Sequence, residues 1–113
     1  MVKVLFVCLG NICRSPMAEA IFRHMVKEAG LEGKITVDSA GTSGWHAGEA
    51  PHPGTRRVLK ENKIDYSGIV SRQVRLEDFR EFDYIIAMDA DNVQALRQLA
   101  GNSPANIHKL LEF

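Results

Sequence analysis

A cysteine and an arginine lie near the start of the chain with five residues between them, and Ser-Pro follows the arginine directly. The segment is Cys8-Leu9-Gly10-Asn11-Ile12-Cys13-Arg14-Ser15-Pro16. A cysteine thiolate is a strong nucleophile. The planar guanidinium of Arg14 can bind two oxygens of one phosphoryl group together, which a lysine cannot do. The pattern therefore indicates a loop that binds an oxyanion and presents a nucleophile to it.

This loop lies between a predicted strand and a predicted helix. The apolar run at residues 2–7 is typical of a strand buried on both faces of a parallel sheet, and apolar residues recur at helical spacing over residues 17–30. The N-terminus of a helix leaves N–H groups unpaired and carries partial positive charge. Together with Arg14 it favours the thiolate form of Cys8. Gly10 and Asn11 tolerate the left-handed backbone that a tight loop requires.

Strand and helix patterns alternate through the rest of the chain. The sequence predicts helices at residues 53–63 and 90–100, a helical turn at 76–82, strands at 35–39, 84–88 and 107–111, and a short strand at 69–71. Strand, helix and strand in succession favour right-handed crossovers and a parallel sheet. We therefore expect an α/β fold, a small doubly wound parallel sheet, with its ligand at the carboxyl ends of the strands.

Length and composition predict one soluble domain over residues 1–113. With 14 basic and 14 acidic side chains the net charge is zero, so no overall field favours nucleic acid or an acidic membrane surface. No apolar run is long enough to span a bilayer and no signal peptide is recognisable, so we expect a cytoplasmic protein. Two cysteines in one loop, with no second cysteine or histidine pair, do not complete a zinc site, and we expect no metal or other cofactor.

Several segments together resemble the low-molecular-weight protein tyrosine phosphatases. The loop at residues 8–16 is similar to the signature loop of that family, and the similarity continues at residues 38–41, 45–46, 71–73 and 82–89, so it covers essentially the whole chain. The resemblance implies a four-stranded parallel sheet in the order 2-1-3-4, flanked by helices. It also implies hydrolysis of phosphotyrosine on proteins through a phosphocysteine intermediate.

The resemblance gives each residue of the loop a role. Cys8 attacks phosphorus, Arg14 stabilises the charge on the phosphoryl oxygens, and the Ser15 hydroxyl hydrogen-bonds the Cys8 sulfur. Cys13 either packs in the loop or forms a reversible disulfide with Cys8 that protects it from over-oxidation. The residues expected to surround the phosphate are Leu9, Gly10, Asn11, Ile12, Cys13 and Arg14. From the residues alone, Ser15 suits a helix cap, and Cys8 could be merely a small buried hydrophobic residue.

Four further positions bear on the shape and stability of the site. Asn11 and Ser39 resemble the family pair that braces the loop. Trp45 resembles the aromatic residue that walls the cleft and stacks on the phosphotyrosine ring, although the residue type alone favours a side chain that covers the edge of the core. Family members that hydrolyse phosphoarginine carry a threonine at the position of Ile12, so isoleucine favours phosphotyrosine.

The chain departs from the family pattern in two places. The family brace includes a histidine shortly before Ser71, and Ile69 occupies that position here. The family's general acid lies in an Asp-Pro-Tyr motif near the C-terminus, and no such motif precedes Phe113; truncation is the simplest explanation. Because a general acid typically contributes ~10²–10⁴-fold in rate, we expect reduced activity on phosphotyrosine. Asp89 or Asp91 could substitute weakly, but helix capping explains both better.

Three functions remain open at this point. The first is a phosphatase whose partners are phosphotyrosine-containing proteins, with phosphate or another oxyanion in the loop. The second is a thiol-dependent arsenate reductase, which shares the fold but needs a further cysteine outside the loop, and none is present. The third is a module that binds phosphotyrosine or phosphate without turnover. The absent C-terminal helix would leave one face of the sheet partly bare, which could favour a dimer.

Overall fold

The computed structural model of the chain describes residues 2–101 and 106–110. Its elements are β1 (Val2–Cys8), α1 (Arg14–Glu28), β2 (Ile35–Gly41), α2 (Pro53–Glu61), α3 (Asp78–Glu81), β3 (Tyr84–Ala87), α4 (Ala90–Ala100) and β4 (Ile107–Lys109). The strands form one parallel sheet in the order β2-β1-β3-β4. This confirms the predicted fold class and strand order. In the described part of the chain, no helix is both long and apolar enough to cross a membrane.

The central strand β1 is covered on both faces, as its unbroken apolar run predicts. Successive side chains of a strand point to opposite faces. On one face lies a core cluster of Leu5, Val7, Ala40, Phe79, Phe82, Ile85, Ala87 and Leu96. On the other face, α1 packs on the sheet, and the Phe6 ring meets the Phe22 ring edge to face with centroids 5.8 Å apart. Cys8, at the end of β1, is thereby held at the carboxyl edge of the sheet.

A second apolar cluster joins α1, α2 and the segment that follows α2. Its buried members are Ala20, Leu59 and Ile69. Ile69 occupies the position at which the resembled family carries a histidine. In this chain that position contributes an apolar contact between helices in place of a ring that could hydrogen-bond the brace.

The predicted strand at residues 69–71 is wrong. The segment is irregular, and its pairing with the sheet is an isolated bridge between Gly41 and Gln73. The backbone of Ser71 is paired instead with the loop after β2: its N–H donates to Glu49 O at 2.8 Å and its C=O accepts from Gly48 N–H at 2.7 Å. These bonds satisfy the backbone without a strand ladder.

Several element boundaries also differ from the sequence prediction. The strand β2 continues to Gly41, while β3 ends at Ala87 and α2 at Glu61. The helix α1 begins at Arg14, three residues before the predicted start, so its first turn includes the last residues of the motif at residues 8–16. Leu111, the predicted end of the last strand, lies outside the described residues.

Candidate active site

The sulfur of Cys8 lies at the junction of β1 and α1, among hydrogen-bonding groups. Cys8 is buried, and its Sγ accepts from the N–H of Asn11 at 3.3 Å. The Ser15 Oγ lies 2.9 Å from the same sulfur. An amide N–H and a hydroxyl at these distances, next to a helix N-terminus, stabilise a thiolate. The environment of Cys8 is therefore polar and does not fit a merely hydrophobic packing role.

Ser15 does not cap α1, so that sequence prediction is wrong. The N-cap position is Cys13, whose side chain makes no capping hydrogen bond. Ser15 lies inside the first turn and is fully buried. Its hydroxyl contacts the Cys8 sulfur and accepts from Asn11 Nδ2 at 2.9 Å. The hydroxyl that could have capped the helix is instead bound to two other residues of the same loop.

Asn11 makes the hydrogen bonds that join the loop to α1 and to β2. It is buried, with 1% of its surface exposed, and its φ of 56° is in the left-handed region, which asparagine tolerates better than most residues. Its side-chain amide donates to Ser15 Oγ and to Ser39 Oγ, both at 2.9 Å. The structure thus brings together Asn11 and Ser39, which lie 28 positions apart in the sequence.

A buried carboxyl group that sequence analysis missed lies behind Ser39. The Ser39 hydroxyl donates to Glu19 Oε1 at 2.6 Å. Burial raises the pKa of the Glu19 carboxyl; the bond from Ser39 lowers it and the nearby charge of Asp38 raises it further, with a net upward shift. Glu19 lies four positions after Ser15, a spacing that places both on one helical face. That spacing was the available sequence signal.

The raised pKa of Glu19 predicts a pH-dependent stability. A carboxyl whose folded pKa exceeds its unfolded value binds its proton more tightly in the folded chain, so stability is lost as the pH rises through the folded pKa. Glu19→Gln, which cannot ionise, should escape this loss. In urea unfolding, the free energy of unfolding of the variant minus that of the wild type should therefore increase from mildly acidic to mildly alkaline pH. The exposed Glu61→Gln should show no such trend; a constant difference for Glu19→Gln would contradict the assignment.

Arg14 points toward Asp89 across the carboxyl edge of the sheet. Its Nη1 donates to Asp89 Oδ2 at 3.0 Å, and its side chain remains 55% exposed. The other oxygen, Asp89 Oδ1, accepts from Asn92 N–H at 2.9 Å and caps α4, which confirms the predicted capping role. The hydrogen bond from the Asn92 backbone N–H lowers the pKa of Asp89, burial opposes it, and the Arg14 guanidinium lowers the pKa further, with a net downward shift. An ionised Asp89 does not fit a general acid, and Asp91 lies in the first turn of α4.

The loop is also held against the end of β2. Thr42 N–H donates to Cys8 O and Ser43 N–H donates to Leu9 O, each at 2.9 Å. A Cβ added to Gly41 would lie 2.8 Å from Leu9 O, closer than any side chain permits. Glycine at this position therefore allows the backbone of β2 to approach the loop, and sequence analysis did not single it out.

The remaining predicted residues are less buried than Cys8, Asn11 and Ser15. Leu9 is 50% exposed and Trp45 is 77% exposed, so Trp45 does not cover the edge of the core. Ile12 is half-buried, and its carbonyl accepts from His52 N–H at 2.7 Å. Cys13 is exposed and, like the buried Cys8, is a free thiol.

Comparison with known proteins identifies the family. Residues 3–113 match the family model described as low molecular weight phosphotyrosine protein phosphatase. The chain belongs to this family. One relative of this phosphatase, the low molecular weight protein-tyrosine-phosphatase YfkJ of Bacillus subtilis, is 55% identical over 114 residues, which cover 100% of the chain and 73% of the relative. The resemblance stated from the sequence is confirmed.

Solved structures agree with this assignment. The crystal structure of YfkJ from Bacillus subtilis superposes with a TM-score of 0.96 at 56% identity, covering 99% of this phosphatase and 71% of that chain. A product-state mimic of a protein tyrosine phosphatase from Entamoeba histolytica gives a TM-score of 0.94 at 40% identity, covering 100% of this chain and 72% of the other. The chain is an enzyme of this kind, and the comparisons do not favour the arsenate reductase alternative.

Proposed function

We propose that this phosphatase hydrolyses phosphotyrosine monoesters on proteins through a phosphocysteine intermediate. The observation that carries the proposal is the placement of the Cys8 sulfur. It lies at the N-terminal end of α1, 3.3 Å from the Asn11 nitrogen and 2.9 Å from the Ser15 oxygen. A nucleophilic sulfur at an anion-binding helix terminus is suited to attack phosphorus in a bound dianion.

In the first step, a lone pair of the Cys8 thiolate forms the S–P bond as the P–O bond to tyrosine breaks. The electron pair of that bond leaves on the tyrosine oxygen, which takes a proton from solvent water. Arg14 and the loop N–H groups bind the three equatorial oxygens of phosphorus and stabilise the charge there in the transition state. Arg14 is half-exposed and held by a single carboxylate oxygen of Asp89, so its remaining N–H groups are available to phosphate.

In the second step, water attacks phosphorus and the S–P bond breaks. The electron pair returns to the Cys8 sulfur, and the proton lost by water leaves with inorganic phosphate or passes to solvent. The Ser15 hydroxyl, 2.9 Å from the sulfur, stabilises the thiolate as it forms and so makes it a better leaving group. Asn11 Nδ2 donates to the same hydroxyl oxygen, which leaves the hydroxyl hydrogen free to point at sulfur.

The opening of the loop favours an aromatic phosphoester. The exposed apolar side chains of Leu9 and Trp45 can contact the ring of a phosphotyrosine whose phosphate reaches Cys8. Ile12, half-buried in the loop, presents no hydroxyl to a phosphoguanidinium group. Cys13, exposed in the same loop, is proposed as the redox partner of Cys8, and a reducing cytoplasm suits both thiols.

The proposal predicts a covalent adduct and a substrate preference. After rapid mixing of the chain with p-nitrophenyl phosphate and quenching in an alkaline denaturing solution, mass spectrometry should find one added phosphoryl group on Cys8, and p-nitrophenol should continue to be released in a steady-state phase. A phosphotyrosine peptide should be hydrolysed faster than the same peptide with phosphoarginine. A stoichiometric adduct without a steady-state phase would support the binding-module alternative, and faster phosphoarginine hydrolysis would contradict the substrate assignment.

A further inference from the structure

Asn11 has two partners that the proposed mechanism does not use. The Ser71 hydroxyl donates to the backbone carbonyl of Asn11, and the N–H of Arg72 donates to Asn11 Oδ1 at 2.9 Å. Ser71 is 4% exposed, and it lies 60 positions from Asn11 in the sequence. The carbonyl and the side-chain oxygen of Asn11 are thus both held by one short irregular segment.

These two bonds act on the backbone conformation of Asn11. A non-glycine residue at a φ of 56° persists only where its surroundings hold it there. With Asn11 in this conformation, its N–H reaches the Cys8 sulfur at 3.3 Å and its side-chain amide reaches Ser15 Oγ at 2.9 Å. Any rotation of the Asn11 peptide unit would move a donor away from the sulfur.

The segment that holds Asn11 is itself fixed by ion pairs. Arg72 donates to Asp78 through Nη1 at 2.9 Å and Nη2 at 3.2 Å, and to Asp38 Oδ2 at 3.1 Å. Asp78 is fully buried and also accepts from the N–H of Arg75 at 2.8 Å. Burial alone would raise the pKa of Asp78, but the hydrogen bonds from Arg72 and Arg75 lower it, so the pair stays ionised. Ser71 is therefore presented to Asn11 from a rigid support.

We propose that Ser71 is a positioning residue for the reaction at Cys8. Its hydroxyl, on the segment anchored by the Arg72–Asp78 pair, holds Asn11 in the left-handed conformation and so orients the loop N–H groups toward sulfur and phosphate. The consequence for catalysis rests on the proposed function. The consequence for the Cys8 thiolate and for phosphate binding does not.

Ser71→Ala tests this, with Ser67→Ala as the matched control. Ser67 is exposed in the same part of the chain, and its hydroxyl contacts Asp65 Oδ2 at 3.0 Å. We measure the pH profile of Cys8 alkylation by iodoacetate, assigning the modified cysteine by fragment mass spectrometry, and the Kd for inorganic phosphate. Ser71→Ala should shift the alkylation midpoint to higher pH and raise the Kd for phosphate, while kcat for p-nitrophenyl phosphate falls by about tenfold, as loss of one positioning hydrogen bond implies. Ser67→Ala should match the wild type.

The readouts separate positioning from a merely structural role. Thermal unfolding of each variant sets the temperature of the assays, so that only folded chains are compared. If Ser71→Ala lowers Tm but leaves the alkylation midpoint and the phosphate Kd unchanged, Ser71 only supports the fold and the proposal is overturned. Alkylation requires no turnover, so the two proposals can fail separately. If the wild-type chain shows no phosphatase activity but Ser71→Ala still shifts the alkylation midpoint, the positioning role is supported and the proposed function is contradicted.

Discussion

Cys8→Ser should abolish hydrolysis of p-nitrophenyl phosphate, lowering kcat/KM by at least about 10⁴-fold. The reason is chemical: a serine hydroxyl stays protonated near neutral pH, and its two contacts here, the Asn11 N–H and the Ser15 hydroxyl, are not bases that could remove its proton. The measurement is the steady-state rate with p-nitrophenyl phosphate, together with the loss of the covalent adduct after quenching in an alkaline denaturing solution.

Phosphate binding provides the control for this variant. The loop amides and Arg14 remain in Cys8→Ser, so the variant should still bind inorganic phosphate, which isothermal titration calorimetry can measure. Retained binding with abolished turnover assigns the loss to the nucleophile. Hydrolysis at the wild-type rate would show that another group attacks phosphorus and would remove the basis of the proposed mechanism.

Arg14→Lys should have the second largest effect, a fall in kcat/KM of roughly 10²–10³-fold. Lysine keeps the positive charge but replaces the planar fork with a point charge that cannot bind two phosphoryl oxygens in fixed geometry. Arg14 uses one guanidinium nitrogen for Asp89 Oδ2, at 3.0 Å, and keeps its other N–H groups for phosphate. The single ammonium group of a lysine cannot divide its contacts between the two partners in this way. The effect should appear mainly in kcat, because the bidentate contact strengthens as charge develops on phosphorus.

The matched control is Arg57→Lys on the exposed surface of α2, which should leave kcat/KM within about a factor of two, as expected for an exposed substitution away from the site. Comparing the two variants separates the loss of the guanidinium fork at the site from any general effect that an arginine-to-lysine change has on the protein. If Arg14→Lys retained a rate within a factor of about three, transition-state stabilisation by a guanidinium fork would be the wrong account of Arg14.

The placement of Cys8 and Arg14 was predictable because it depends on short-range sequence. An apolar strand, five intervening residues and a helix place Cys8 and Arg14 at one helix N-terminus whatever the rest of the chain does. The alternation of strands and helices likewise predicts a parallel sheet, and the resemblance to a family supplied the strand order that the sheet shows.

The errors have two causes. Serine at a helix start suits a cap, but the Ser15 hydroxyl is bound to Cys8 and Asn11 within the same loop. Extended, β-branched residues suit a strand at 69–71, but the backbone of Ser71 is paired with the loop at Gly48 and Glu49. No local pattern contains the position of those partners.

The amino-acid sequence by itself predicted the proposed nucleophile, the proposed anion-binding loop and the parallel sheet that carries them, because each prediction follows from residue types and periodicities over a few neighbouring positions. Only the tertiary structure decided what holds the loop in place. The family resemblance had supplied the Asn11–Ser39 pair, but not the Glu19 carboxyl behind Ser39 or the bonds of Ser71 and the Arg72 N–H to Asn11. These contacts, and the Arg72–Asp78 pair behind them, depend on strand register and helix packing, which are properties of the whole fold and produce no periodic pattern in the sequence.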